Sequence, residues 1–293
     1  MRYSFVRVLF AALSVLLVLG CGSPSAAPED GVRLLDPGAE PRSALRFDLD
    51  AFQAVSSRMV MDMETEMTGT NLPGGDMTTV MPRLQATGRH EPIGRDDDGN
   101  LRIAVHFGGI EVLPRPGADE ELIQVMGEML DEMRGLTGET IIDERGQHLG
   151  GTMDLDGVNP MLREQLEGQL HAFQDMFTGF PVEPVGTGGS WEVVSTMTQQ
   201  GLTMQDRSVY TLVNRTDNAA TMDFTSTQTG AAKAAGMDGL TIRGEGGGSM
   251  TISFTSLLSE AVMDLEIRAE FDDPEGGKIT VVTRMHMELM ADS

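Results

Sequence analysis

Cysteine occurs once in the 293 residues, at position 21, and lysine only twice, at 233 and 278. A single cysteine excludes an intramolecular disulfide framework and a multi-thiolate zinc site. With 21 basic against 45 acidic residues, a net charge of −24, no basic face is available to displace counterions from phosphates. Nucleic acid is therefore not an expected partner. Aromatic residues are few, 11 Phe, 2 Tyr and 1 Trp. No apolar run approaches the ~20 residues of a spanning helix; Val8–Leu19 is 12 residues long. Signatures of chemistry are missing too. There is no G-x-S-x-G, no H-E-x-x-H, no phosphate loop and no dinucleotide fingerprint. His90, His106, His148, His171 and His286 are scattered, and none stands at ligand spacing from another. The expected protein is not an enzyme, with no catalytic residue, no bound metal and no cofactor.

What is present begins at the N-terminus. Arg2 and Arg7 precede the Val8–Leu19 run, which has the length of a signal-peptide core rather than of a membrane span. The run ends Val18-Leu19-Gly20-Cys21, which resembles the bacterial lipoprotein signal. That resemblance implies cleavage after residue 20, a diacylglycerol on the Cys21 sulfur and an acylated amine, several chains being what stable anchoring requires. Gly22, where an aspartate would favour the inner membrane, implies transfer to the outer membrane, facing the periplasm or the cell surface. The membrane is thus one expected partner. Residues 21–45, rich in Pro, Gly, Ser and acid, read as a flexible tether, and 46–293 as one folded domain.

Period-2 alternation dominates that domain. Met59, Met61, Met63, Thr65 and Met67 share one face of a strand against Asp62, Glu64 and Glu66. Leu101, Ile103, Val105 and Phe107 do the same, as do Trp191, Val193 and Met197, then Met263 to Phe271, and finally Val281, Thr283, Met285, Met287 and Leu289. Such alternation means antiparallel strands with one wet face. Turn signals separate the runs at 72–76, Asp98-Gly99, Glu144-Arg145-Gly146, Asp217-Asn218 and 272–277. Two segments change period. Ala118–Leu136 carries Leu122, Val125, Met126, Met129, Leu130 and Met133 at helical spacing behind an acidic first turn. Asn159–Phe177 opens with an Asn cap and Pro160. Residues 231–235 (AAKAA) suggest a further turn of helix. The expected fold class is α+β: a large curved antiparallel sheet, an open half-barrel, with two amphipathic helices on its concave face.

The stretch Phe180-Pro181-Val182-Glu183-Pro184-Val185-Gly186-Thr187-Gly188-Gly189-Ser190-Trp191, running into Val209-Tyr210-Thr211-Leu212, resembles a family of uncharacterised bacterial lipoproteins that carry a Pro-Val step, a glycine, and Ser-Trp opening a strand. The resemblance spans residues 180–215, with two residues inserted between Gly186 and Ser190. The strand–helix–strand layout around it is similar to the LolA/LppX-type half-barrel, which implies an apolar cavity between sheet and helices.

Methionine is the compositional anomaly, with 22 copies. On strands, Met59, Met61, Met63, Met67, Met285 and Met287, together with Trp191, are candidates to line a cavity for flexible acyl chains, since methionine is unbranched and polarizable. The same thioethers could ligate Cu(I), and they could equally fill an ordinary core. Asp96-Asp97-Asp98-Gly99-Asn100 lacks the glycine placement and the bidentate glutamate of a calcium loop and reads as a hairpin turn. The function expected is binding or carriage of an apolar ligand, a lipid or lipoprotein acyl chain; palmitate belongs to the expected lipid modification. A structural or interaction lipoprotein with a packed core stands as the alternative.

Overall fold

A computed structural model describes residues 31–69, 72, 75–156, 158, 163, 179–199, 202–232, 239–272 and 276–292. Thirteen strands run in chain order: β1 (Gly31–Asp36), β2 (Val55–Gly69), β3 (Met77–Val80), β4 (Arg83–Arg95), β5 (Leu101–Leu113), β6 (Thr137–Ile142), β7 (His148–Asp154), β8 (Ser190–Gln199), β9 (Leu202–Arg215), β10 (Ala219–Ala232), β11 (Thr241–Ser253), β12 (Leu258–Asp272) and β13 (Lys278–Asp292). One helix, α1 (Glu120–Asp131), stands between β5 and β6. All thirteen strands belong to one antiparallel sheet ordered β1-β8-β9-β10-β11-β12-β13-β2-β4-β5-β6-β7, with β3 continuing the β4 track along β2. Two meanders, β2 to β7 and β8 to β13, are therefore joined where the last strand pairs with the first long one, Met285 opposite Met63.

The sheet is open, yet its two arms share a core. Leu101 and Ile103 from β5 and Ile142 from β6 pack in one cluster with Trp191, Tyr210, Met222, Ile252 and Ala261 from β8 to β12. Residues 37–54 and 179–189 fill the space between the arms with Leu45, Phe47, Phe52, Phe180 and Val185. Phe180 touches Phe47, Trp191 and Phe254, and the backbone stitches the same junction. Phe47 N–H donates to Glu144 O at 2.8 Å, Phe180 N–H to Arg145 O at 2.9 Å, and Asp48 N–H to Phe254 O at 2.7 Å. One end of the curl is thus plugged. A second cluster, around Met67, Met204, Ile242, Leu265, Ile267 and Val281, lies toward the other end of β11, β12, β13 and β2.

Two differences from the sequence reading concern element boundaries. Gly31–Asp36 lies inside the expected tether but forms an edge strand, Leu34 opposite Trp191, fastened by Arg33 to Glu192 at 2.8 Å. Leu45, the last residue of that tether, is fully buried. The Pro, Gly and acidic content of the segment concealed the alternation of Val32 and Leu34. Ala231 and Ala232, expected in a turn of helix, close β10 instead, paired with Thr203 and Leu202; residues 233–235 lie outside the described residues.

The helix at Ala118–Leu136 is present, trimmed to Glu120–Asp131 and capped by Asp119, whose carboxylate accepts from Glu121 N–H and Leu122 N–H. Its Met126 packs on Met63 and Met81, with Leu122 and Leu130 beside them, so α1 sits on the methionine face of the sheet. Of the second expected helix, Asn159–Phe177, all but Arg163 lies outside the described residues, as do the signal segment and Cys21. The fold stated from the described residues is a large, mostly antiparallel open sheet with one helix.

Candidate ligand-binding face

Side chains on a strand alternate faces, so register decides what meets what. On β12, β13 and β2 the odd positions turn toward the two core clusters. Met61 stands opposite Met287, which stands opposite Met263; Met63 stands opposite Met285, which stands opposite Leu265. The expected methionine face is therefore one continuous patch, extended by Met263. Its members differ in burial. Met63, Met67 and Met287 are buried, whereas Met59, Met61, Met263 and Met285 are only half-buried. Trp191, 1 % exposed, is packed against Tyr210 with centroids 5.7 Å apart and belongs to the plug rather than to an open wall. Thr65 and Thr283 interrupt the patch and satisfy each other at 3.2 Å.

The same face looks different on β9, β10 and β11. Beyond Tyr210 and Phe224 the inward positions turn polar: Ser208 opposite Ser226, and Asp206 opposite Gln228. Ser208 donates to one oxygen of Asp206 at 3.0 Å and Ser226 to the other at 2.8 Å. Neighbouring β11 presents Gly244, Gly246 and Gly248 at its inward positions. Sequence reasoning missed this polar group. The signal available was the switch from Met222 and Phe224 to Ser226 and Gln228 in one phase of β10, but only register shows that Asp206 joins them. Burial, foremost, and the nearby Asp206 charge push the Tyr210 hydroxyl up to about 12, against a hydrogen bond with Ser208.

The opposite face is charged. His286 lies between Asp264, at 2.8 Å from Nδ1, and Glu288, at 3.2 Å from Nε2. The hydrogen bond to Asp264, foremost, raises its pKa. Arg284 bridges Glu266 at 2.9 Å and Glu66 at 3.1 Å, and Arg83 holds Asp62 at 2.8 Å, keeping that carboxyl below its ordinary range. A shallow cleft of about 550 Å³ opens here, lined by Asp62, Glu64, Glu245, Asp264, Glu266 and Arg284 among others. Half-exposed ion pairs of this kind contribute little stability each but keep the face wet. A membrane barrel carries an outward apolar band at such positions; these strands carry carboxylates and guanidiniums. Near the sheet edge, burial works to raise Glu192, but Arg207 and Arg33 outweigh it and hold the carboxyl low.

Among the remaining candidates, Asp96 organises a hairpin turn, as expected: it accepts from Asp98 N–H at 3.0 Å, Asn100 N–H at 2.8 Å and the Asn100 amide at 2.9 Å. His106 is exposed on the polar face of β5. His90 faces inward from β4, and burial lowers its pKa. Among the described residues no group of three His, Cys, Asp or Glu side chains is placed to hold a metal ion.

No curated protein matches the chain in sequence. Among solved structures, OccAB3 of Acinetobacter baumannii is similar over 81 % of this chain and 99 % of its own, at 7 % identity and a TM-score of 0.23. OmpT of Vibrio cholerae is similar over 80 % and 99 %, at 6 % identity and 0.20. LpxR of Salmonella typhimurium is similar over 79 % and 99 %, at 7 % identity and 0.18. A sequence profile for a family of unknown function, DUF6263, matches residues 163–256, the segment that carries β8 to β11 and their inward polar group.

Proposed function

We propose that the inward face of the sheet binds an apolar ligand, a lipid or acyl chain, without chemical turnover, in a protein held at the bacterial outer membrane by lipid on Cys21. The observation that carries this reading is the half-buried methionine wall. Met59, Met61, Met263 and Met285 are only partly buried; Met61, Met263 and Met285 rim the packed clusters rather than lying inside them, so part of their apolar surface stays open. Unbranched thioether side chains adapt to a chain of variable shape better than β-branched ones.

The test is saturable binding of N-phenylnaphthylamine, an uncharged fluorescent apolar probe. The wild type is expected to bind it, and a Met59/Met61/Met285→Leu protein to bind it with similar affinity, because volume-conserving apolar swaps cost little. Met61→Asp should abolish binding while the fold survives. Absence of saturable binding to the wild type would sink the reading and leave a structural or interaction role. The register of Met61, Met287 and Met263 gives a soft-metal site one observation of its own, and the same leucine protein separates the two. A copper site would lose Cu(I) on that replacement, whereas a lipid wall keeps its probe.

Anchoring is tested separately. Cys21→Ser is expected to move the protein from the detergent phase to the aqueous phase of a Triton X-114 partition. Identical partitioning of both forms would contradict the lipoprotein reading.

A further inference from the structure

On the inward face, Asp206 is the feature that an apolar binding wall does not explain. Its two oxygens accept from Ser208 at 3.0 Å and from Ser226 at 2.8 Å, and among the described residues no Lys, Arg or His pairs with it. The neighbouring Arg207 points to the other face, where it pairs with Glu192. Asp206 is only partly buried, and two neutral hydroxyls supply its two oxygens with no opposite charge. The hydroxyl protons of both serines are spent on Asp206, so the group presents lone pairs and no free donor hydrogens from them. Gln228, directly opposite Asp206, adds an amide oxygen that has no hydrogen-bond partner and lies against Gly244.

The group is also in line with the methionine wall. Following the ladder from β10, Ser226 stands opposite Gly246, Gly246 opposite Leu265, Leu265 opposite Met285, and Met285 opposite Met63. Four strand steps separate Ser226 from Met63, an arc of about 19 Å at the usual strand spacing of ~4.8 Å. Between the polar end and the apolar end, the inward positions of β11 are bare glycine. One inward trough therefore has acceptors at one end, glycine and the buried Leu265 in the middle, and thioethers at the other.

We propose that this trough selects an amphiphile with a cationic amine head, its ammonium group at Asp206, Ser208, Ser226 and Gln228 and its tail on the half-buried Met285, Met263 and their neighbours. An ammonium supplies three donors and the missing positive charge in a single group. A carboxylate or phosphate head without an amine would face Asp206 with like charge.

This inference rests on the reading that the inward face binds apolar ligands, and one titration separates the two. N-phenylnaphthylamine bound to the full chain is displaced at neutral pH by dodecylamine, dodecanol, dodecanoate or butylamine. Dodecylamine is expected to displace it about tenfold more tightly than dodecanol and more tightly still than dodecanoate, and butylamine not at all. Asp206→Asn should bring dodecylamine down to the level of dodecanol and leave dodecanol unchanged. Because the wild-type ranking is informative without any variant, a misfolded Asp206→Asn protein would not spare the proposal. Failure of the probe to bind would remove the apolar-ligand reading. Probe binding with equal displacement by the three dodecyl compounds, or a preference for dodecanoate, would overturn the head-group assignment alone. Displacement by butylamine equal to that by dodecylamine would overturn the amphiphile and leave a simple amine site.

Discussion

Replacing Trp191 by alanine is expected to destabilise the protein by about 3–5 kcal/mol, the usual cost of emptying a large aromatic site. The indole is 1 % exposed, stacks on Tyr210 at 5.7 Å and meets the edge of Phe180 at 6.4 Å. Through Phe180 it touches the plug that joins the two arms of the sheet, so the cavity left behind opens the junction that the small number of aromatics is concentrated in. Against a total stability of ~5–15 kcal/mol for a typical domain, that loss is large. The measurement is the urea midpoint followed by far-ultraviolet circular dichroism, since the variant has no indole left to report. Trp191 fluorescence in the native wild type should resist iodide. A midpoint unchanged by the substitution, or an indole freely quenched, would mean that the plug is not packed as described.

Much of this architecture is legible in the sequence. The alternation of Met59 to Met67, of Met263 to Phe271 and of Val281 to Leu289 gave strands, faces and burial, because one side of each strand packs and the other is wet. The Asp96–Asn100 and Glu144–Gly146 turns followed from residues that tolerate turn geometry. What was not legible has specific physical causes. β1 is short and lies at an edge, so its alternation covers only Val32 and Leu34 inside a segment whose composition suggests a tether. The β5 face changes phase in mid-strand: Thr87 stands opposite Gly109 and Gly88 opposite Phe107, so Gly108 is an extra residue. Gly109, at φ +123°, adopts a backbone that favours glycine. Beyond it the inward phase passes from Phe107 to Ile110 and Val112, a shift that no count of apolar residues reveals. The polar group at Asp206 was hidden for another reason. On its own strand it is one acid among exposed polar neighbours; its partners Ser226 and Gln228 arrive from β10, and pairing across strands is long-range information.

The glycines of β11 carry the second large prediction. A Cβ at Gly248 would stand 1.9 Å from Val262 O, 2.9 Å from its carbonyl carbon and 3.0 Å from Met263 Cα. All three are backbone atoms of β12, so no side chain can rotate away, and the two strands must separate where Gly248 pairs with Met263. Gly248→Ala is accordingly expected to cost about 3 kcal/mol, at the upper end of ordinary overpacking, and to lower the denaturation midpoint to match. The identical chemical change at Gly127 in α1, where nothing lies within 4 Å, should raise stability by up to ~1 kcal/mol, the helix propensity gained on replacing glycine. Opposite signs for one added methyl would locate the effect in the close approach of β11 and β12 rather than in glycine's flexibility. Gly248 lies in register with Met263, one of the half-buried methionines of the wall, so the Gly248→Ala protein should lose probe binding along with stability. A Gly248→Ala protein as stable as the wild type would mean that β11 and β12 are not held at this spacing beside the methionine wall.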